Sequence, residues 1–181
     1  MKKVHVLMIG LLAFWTFQAC NTSTKRDSVE SAEEVNEDKK SVDDDVSDFM
    51  VKAASGGMME VQLGEMAGRN ASSQAVKDFG AMMVRDHSKA NEELKTLAAA
   101  KNITLPAALG KEEQEHVSKM SAQKGSEFDK HYIDMMVDDH KEDIDHFEKA
   151  AKSKDADLSA FASKTLPVLN AAEIAGKNPR L

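Results

Sequence analysis

Met82-Met83-Val84-Arg85-Asp86-His87 recurs fifty-three positions later as Met135-Met136-Val137-Asp138-Asp139-His140, with five of the six residues identical. An aromatic residue precedes each copy by three positions, as Phe79 and Tyr132. Both copies lie in long segments whose apolar residues recur at helical spacing. The repeat therefore predicts two similar helices of one bundle, which present the same Met, Asp and His groups to a shared polar site.

The surrounding segment, residues 49–176, is predicted to be one all-α domain. It is rich in Ala, Met, Leu, Lys, Asp and Glu and has no strand-like alternation. Breaks and capping residues divide it into long helices over 46–67, from an N-cap at Ser72 or Ser73 to about 100, and over 126–152, a fourth that begins at Asp155 or Asp157, and a shorter helix over 107–123. Short connections predict antiparallel neighbours, hence a four-helix bundle with an extra short helix in its long second connection. Pro167 is expected to kink the last helix or to start a new turn.

Five side chains on the predicted inward faces are candidate metal ligands. His87 and Met83 share the apolar stripe of the second helix, and His140 and Met136 share that of the third. Glu60 is the one charge among small residues on the first helix, and a buried charge is costly unless it is paired or bound to a cation. Imidazoles suit zinc or Cu(II), and thioethers would add affinity for Cu(I), so a copper or zinc ion is expected. The alternatives are hydrogen-bonded core histidines and methionines that only fill the core.

The helix lengths predict that Glu60 and the histidine pair belong to different sites. Glu60 lies about ten residues before the first turn and His87 about seventeen after it, if the first long helix ends near Gly68. At a rise of about 1.5 Å per residue, their backbones would differ in height by roughly 10 Å. Direct contact between Glu60 and His87 is therefore not expected.

Other polar pairs carry weaker signals. Glu113 and His116 have the i,i+3 spacing that di-iron bundles use, and so do Asp143 and His146. The first pair lies in a short charged stretch, so a solvated face is expected for it. The second pair is expected to be partly exposed, and His131 is expected at the surface. The chain has no Gly-rich phosphate loop, nucleophile elbow or cysteine-based metal motif, and nothing in its charge pattern indicates nucleic-acid binding.

The first nineteen residues (1–19) are typical of a bacterial lipoprotein signal. Two lysines precede an apolar run that is short for a membrane span, and the run ends before Cys20, the only cysteine. We expect cleavage before Cys20 and lipidation of its thiol, which would attach the protein to the membrane of the cell envelope; the alternative is an ordinary secretory signal. Residues 20–48 would then form a disordered acidic tether, because ten acidic and four basic residues lie between Asn21 and Asp48.

Several motifs, in order along the chain, carry a family resemblance. They are the segment from Ala53 to Gly64, the two Met-Val-x-Asp-His boxes, Phe128-Asp129, and Thr165-Leu166-Pro167-Val168-Leu169. The chain resembles the bacterial envelope family called domain of unknown function 4142, over about 49–169. The resemblance implies a ferritin-like four-helix fold, export and no established activity. Where the family usually has a histidine three residues after the last leucine, this chain has Ala172, which removes a potential third imidazole.

Three functions are compatible with these features. The first is an exported, lipid-anchored, non-catalytic envelope protein that binds a metal ion through core His and Met groups. The second is a structural or stress-related lipoprotein that binds no metal and acts through a protein partner. The third, a di-iron oxidase, is the weakest, because such centres use about four carboxylates and two histidines and only Glu60 is predicted to face inward.

Overall fold

The computed structural model describes residues 26–39 and 42–178, and the regular elements in these ranges are all helices. They are α1 (Ser28–Glu37), α2 (Asp44–Asn70), α3 (Gln74–Ala100), α4 (Lys111–Ser121), α5 (Gly125–Ala150) and α6 (Ala156–Lys177). The prediction of an all-α protein is confirmed. None of the described helices has the length and apolar character that crossing a membrane requires. The predicted signal and Cys20 lie outside the described residues.

The first long helix, α2, is longer at both ends than predicted. The Asp43 side chain caps its start by accepting a hydrogen bond from the Val46 backbone N–H at 3.2 Å. The sequence predicts an end near Gly68 and Asn70, and the helix runs through Gly68 because a glycine inside a helix costs only about 1 kcal/mol. The helix continues to Asn70, whose side-chain amide donates to the Gln123 carbonyl at 3.0 Å. The turn to α3 is therefore confined to residues 71–73.

The start of α3 is stabilised from a distant part of the chain. Ser73 occupies the N-cap position, as predicted, but its side chain makes no capping hydrogen bond. Asp129 of α5 supplies the carboxylate instead and accepts from the backbone N–H groups of Ser72 and Ser73, each at 3.0 Å. A carboxylate at this position satisfies free amide groups and complements the positive end of the helix dipole.

The second helix pair follows the prediction closely. α5 begins at Gly125, one residue before the predicted Ser126, and Gly125 has a φ of 63°, which favours glycine. Asp155 caps α6 as predicted, since its carboxylate accepts from the Leu158 backbone N–H at 2.9 Å. α6 is continuous through Pro167.

The four long helices enclose two apolar clusters. α2 packs against α3 and α5, and α6 packs against α5 and α3. One cluster includes Leu63 and Met83, and the other includes Met50 and Leu94. α2, α3 and α5 each bury one carboxylate or imidazole side chain, and the three together form a buried polar layer. These residues are Glu60, His87 and His140.

α2 and α3 approach each other most closely at two glycines. A Cβ atom on Gly80 would lie 2.6 Å from the Ala67 Cβ and 2.8 Å from the Gly64 carbonyl oxygen, and one on Gly64 would lie 2.7 Å from the Gly80 carbonyl oxygen. Backbone atoms cannot yield as a flexible side chain can, so only glycine fits at this crossing. Gly64 is one helical turn from Glu60, so the crossing helps to set the separation of α2 and α3 at the polar layer.

α1 contradicts the expectation of a disordered tether for residues 28–37. Ala32 and Asn36 are buried. The Asn36 amide donates to the Thr104 carbonyl at 2.9 Å, and its oxygen accepts from the Thr104 N–H at 2.7 Å. The connection after α3 thus has a backbone N–H and a carbonyl, both of Thr104, whose hydrogen bonds are completed by α1. Amino-acid composition cannot reveal this pairing. The assignment of 20–48 as a separate region otherwise stays a prediction.

Candidate metal centre

The buried polar layer brings one carboxylate and two imidazoles together from three helices. Glu60, His87 and His140 are 2%, 5% and 0% exposed. The Glu60 Oε2 atom lies 2.5 Å from His87 Nδ1, and Glu60 Oε1 lies 3.4 Å from His140 Nδ1. The two imidazole rings meet edge to face with centroids 5.3 Å apart. One potential ligand atom from each residue lies within 4.8 Å of the others, the only such group of three or more among the described residues.

The prediction that Glu60 and His87 occupy different levels is therefore wrong. With the turn centred on Ser72 rather than near Asn70, Glu60 lies twelve residues before it and His87 fifteen after it. Their backbones then differ in height by only about 4–5 Å. Side chains also lean toward the N-terminus of their own helix, so in this antiparallel pair Glu60 leans away from the turn and His87 leans toward it. The smaller difference in backbone height and the opposite lean of the two side chains both bring the Glu60 carboxylate close to the His87 ring.

Each histidine has its Nδ1 atom engaged and its Nε2 atom free. His87 Nδ1 faces Glu60, and His140 Nδ1 lies 2.8 Å from the Met136 carbonyl oxygen, the residue one turn earlier on α5. A carbonyl only accepts, so His140 is the Nδ1–H tautomer and donates to Met136. The Nε2 atoms of both rings are buried and have no hydrogen-bond partner within the described protein, and the same is true of Glu60 Oε1.

The charges of the three groups are coupled. Burial alone would raise the pKa of Glu60, but the charge and hydrogen bond of His87, with the charge of His140, hold that pKa below its usual value. Burial alone would lower the pKa of His87, but the charge and hydrogen bond of Glu60 raise it. Burial lowers the pKa of His140, and the positive charge of His87 adds to that effect. These directions favour the charged forms of Glu60 and His87, and the neutral form of His140, whose Nε2 lone pair is then available.

Two more carboxylates, which were not predicted as site residues, flank this group. Burial, followed by the negative charge of Glu60, raises the pKa of Asp139 to about 7 and that of Asp143 to about 8. Asp143 is partly exposed, yet it lines a small void of about 20 Å³ together with Glu60 and His87. A void of this size holds about one water molecule or one ion. The signal was present in the sequence, since Asp143 follows His140 by three residues and shares its helix face.

The donor set fits a divalent cation. Zinc binds His nitrogen and carboxylate oxygen at about 2.0–2.2 Å, so neighbouring ligands of a tetrahedral ion lie about 3.4 Å apart. His140 Nδ1 lies 3.4 Å from Glu60 Oε1, but it holds the proton donated to the Met136 carbonyl, so Nε2 is the His140 atom available to an ion. The 2.5 Å between Glu60 Oε2 and His87 Nδ1 is instead a hydrogen-bond distance. An ion that uses both groups would therefore replace the proton between them.

The remaining candidate residues differ in burial. Met83 and Met136 are fully buried in the same apolar cluster, and their role as ligands stays a prediction. His131 is exposed, as expected. Glu113 and His116 line a cavity that also contains Glu60, although they were expected on a solvated face. Ala172 is 3% exposed, so the position that lacks the family's histidine does face inward.

These features define an all-helical protein with a buried pair of histidines and one carboxylate. The chain belongs to the family described as Domain of unknown function (DUF4142), which matches residues 30–175. The match begins inside α1 and ends inside α6, and it confirms the family resemblance that the motifs carried. Comparisons with curated proteins and with solved structures give no match.

Proposed function

We propose that this protein is a non-catalytic, divalent-cation-binding protein of the bacterial cell envelope, built on a ferritin-like four-helix bundle. The observation that supports it best is the convergence of Glu60, His87 and His140, with potential ligand atoms within 4.8 Å of one another. A wholly apolar layer would avoid the cost of burying these groups. A bound cation would compensate that cost and would use the two free Nε2 atoms or the Nδ1 atoms after deprotonation.

The ligand types indicate which ion the site would prefer. Two imidazoles and a carboxylate form a borderline-to-hard set that suits Zn²⁺, Cu²⁺ or Fe²⁺ better than Cu⁺. The Met136 carbonyl would orient His140, since histidine ligands usually donate their other N–H to an oxygen. Participation of Met83 or Met136 would shift the preference toward Cu⁺. Zinc or copper is therefore the proposed ion.

The proposed location depends on the N-terminal sequence. A positively charged start, a short apolar run and Cys20 support export and lipid attachment, so the partner at this end would be the membrane. Several acyl chains, as lipoproteins carry, would suffice for stable anchoring where one chain would not. The acidic residues of α1 would oppose close contact between this end of the helical domain and anionic lipid.

A second candidate function is a structural or stress-related lipoprotein that binds no metal and acts through a protein partner. One observation favours it: Glu60 and His87 already neutralise each other at 2.5 Å. A buried pair of this kind can specify how helices align without any bound ion. In that case the two histidines would be structural groups of the core.

Metal content and titration distinguish the two functions. The purified full-length protein, in detergent, would be analysed by mass spectrometry and titrated with Zn²⁺, Cu²⁺, Cu⁺ and Fe²⁺. A His87→Ala/His140→Ala variant would be compared with His131→Ala, which removes an exposed histidine from α5. Stoichiometric binding that only the double variant loses is expected. Absence of binding by the folded wild-type protein would contradict the metal-binding function and leave the structural one.

A further inference from the structure

A cavity of about 540 Å³ lies between α1, α2, α4 and α5, next to the candidate metal centre. Carboxylates dominate its polar lining, and only two lysines, Lys52 and Lys111, oppose them. The acidic residues nearest the centre are Glu60, Asp139 and Asp143, while Glu113 and Glu142 lie with His116 and the exposed His146. The cavity is therefore far larger than a bare ion needs and strongly negative when these groups are ionised.

This cavity adjoins the small void beside His87. The two spaces share four lining residues, namely Ala53, Glu60, Asp143 and Phe147. Only the small void reaches His87, and only the large cavity reaches exposed groups such as His146. Asp143 and Glu60 are thus the two carboxylates at the junction between the solvent-facing space and the buried histidine.

Unpartnered buried atoms at this junction indicate a ligand. Glu60 is 98% buried, lines both spaces and has no hydrogen-bond partner for its Oε1 atom within the described protein. Asp139 Oδ2 and His116 Nδ1 are also buried without a partner, and both residues line the large cavity. Buried polar atoms of native proteins are nearly always paired with protein groups, water or ions, so three such atoms around one cavity point to water or a cation as their partner.

We propose that the large cavity is the access passage through which hydrated divalent cations reach the centre, with Asp143 as the carboxylate that passes them from the cavity to Glu60 and His87. This inference rests on the proposed metal-binding function and adds a route to it. Carboxylates in a cleft with low-dielectric walls concentrate cations and raise association rates by 10-fold or more. Asp143 acts at the junction and is not needed in the final ligand set.

The test separates rate from affinity. Stopped-flow mixing of the full-length protein with Co²⁺, whose visible absorption changes on coordination, gives association and dissociation rates at pH 8. Asp143→Asn would be compared with Asp145→Asn, which removes the same charge from an exposed position of α5 outside the cavity. We expect Asp143→Asn to lower both rates about fivefold, leave the Kd within about threefold, and weaken the salt dependence of association. We expect Asp145→Asn to behave as wild type.

Three outcomes would overturn the proposal in distinguishable ways. Equal association rates for Asp143→Asn and Asp145→Asn would refute the role of the cavity as a passage and leave the proposed metal centre unaffected. An unchanged association rate with faster dissociation would make Asp143 a ligand only. Absence of Co²⁺ and Zn²⁺ binding by the wild-type protein at equilibrium would overturn the proposed function itself, and the passage with it.

Discussion

Glu60 Oε2 and His87 Nδ1 lie 2.5 Å apart in the interior of the helical domain, with both side chains almost completely buried. The contact joins α2 to α3 by a charged hydrogen bond, which is stronger than a neutral one. The pair also holds a proton between the Glu60 oxygen and the His87 nitrogen, and a bound cation would compete for these two atoms. Folding and protonation are therefore linked at this one pair, and the proposed cation binding would be linked to both.

Replacement of Glu60 by glutamine should uncouple these effects. The neutral amide cannot balance a charged imidazole, so the pKa of His87 should fall because burial is no longer opposed. We expect the free energy of unfolding at neutral pH to fall by about 1–3 kcal/mol, as for loss of a charged hydrogen bond in the core. NMR titration of the imidazole and urea unfolding would measure the two changes. Glu65→Gln, at an exposed position of α2, is the matched control, and an unaltered His87 titration in Glu60→Gln would refute the coupling.

The close crossing of α2 and α3 gives a second prediction. Gly80→Ala would place a methyl group 2.6 Å from the Ala67 Cβ and 2.8 Å from the Gly64 carbonyl oxygen, so the helices must separate. We expect a loss of about 1–3 kcal/mol in stability, as for overpacked cores, and a weaker metal site. Gly68→Ala is the control, since nothing lies within 4 Å of its new Cβ and alanine favours the helix by up to about 1 kcal/mol. Equal thermal stability of Gly80→Ala and Gly68→Ala would argue against a steric requirement for glycine where α2 and α3 cross.

Asp143 should make stability depend on pH. Its pKa is raised from 3.8 to about 8, by burial first and then by Glu60, so the folded protein keeps a proton that the unfolded chain releases. The free energy of unfolding should therefore fall as the pH rises from about 4 to about 8. Asp143→Asn removes this contribution and should be about 1–2 kcal/mol more stable than wild type at pH 8 without metal, the gain being limited by solvent exposure.

Urea unfolding at the two ends of this pH range, in the presence of a chelator, would measure the difference. Asp145→Asn, on the exposed side of α5, should keep the wild-type slope. A wild-type slope in Asp143→Asn as well would show that the aspartate titrates normally in the folded protein.

The attachment of α1 gives a fourth prediction. Asn36→Ala would leave the Thr104 N–H and carbonyl without their side-chain partners, so we expect a loss of about 1–2 kcal/mol. Amide hydrogen exchange should accelerate in residues 28–37 and around Thr104 and stay unchanged in α5 and α6. Glu37→Ala, at an exposed position of the same helix, should leave exchange near the wild-type rate. Unchanged exchange in Asn36→Ala would mean that other contacts hold α1.

The helices and their inward faces could be predicted from periodicity, because a helix buries the residues that recur every three to four positions. This is why Glu60, His87 and His140 were expected to face inward, and all three are buried. α1 could not be predicted, since its burial depends on Asn36 meeting Thr104, sixty-eight positions away. The acidic composition of α1 does not indicate the contact between Asn36 and Thr104.

The sequence by itself determined the all-α class, the family, and the three helices that carry the buried polar groups, because local spacing and motif order encode these properties. Only the tertiary structure decided that Glu60 meets His87, that Asp129 caps a helix in the other half of the chain, and that Asp143 joins two cavities. The physical reason is that a small error in the position of a turn changes which residues of the two helices lie at the same height. Two residues of error in the position of a turn shift the relative register of an antiparallel pair by about 6 Å, which exceeds the reach of a hydrogen bond.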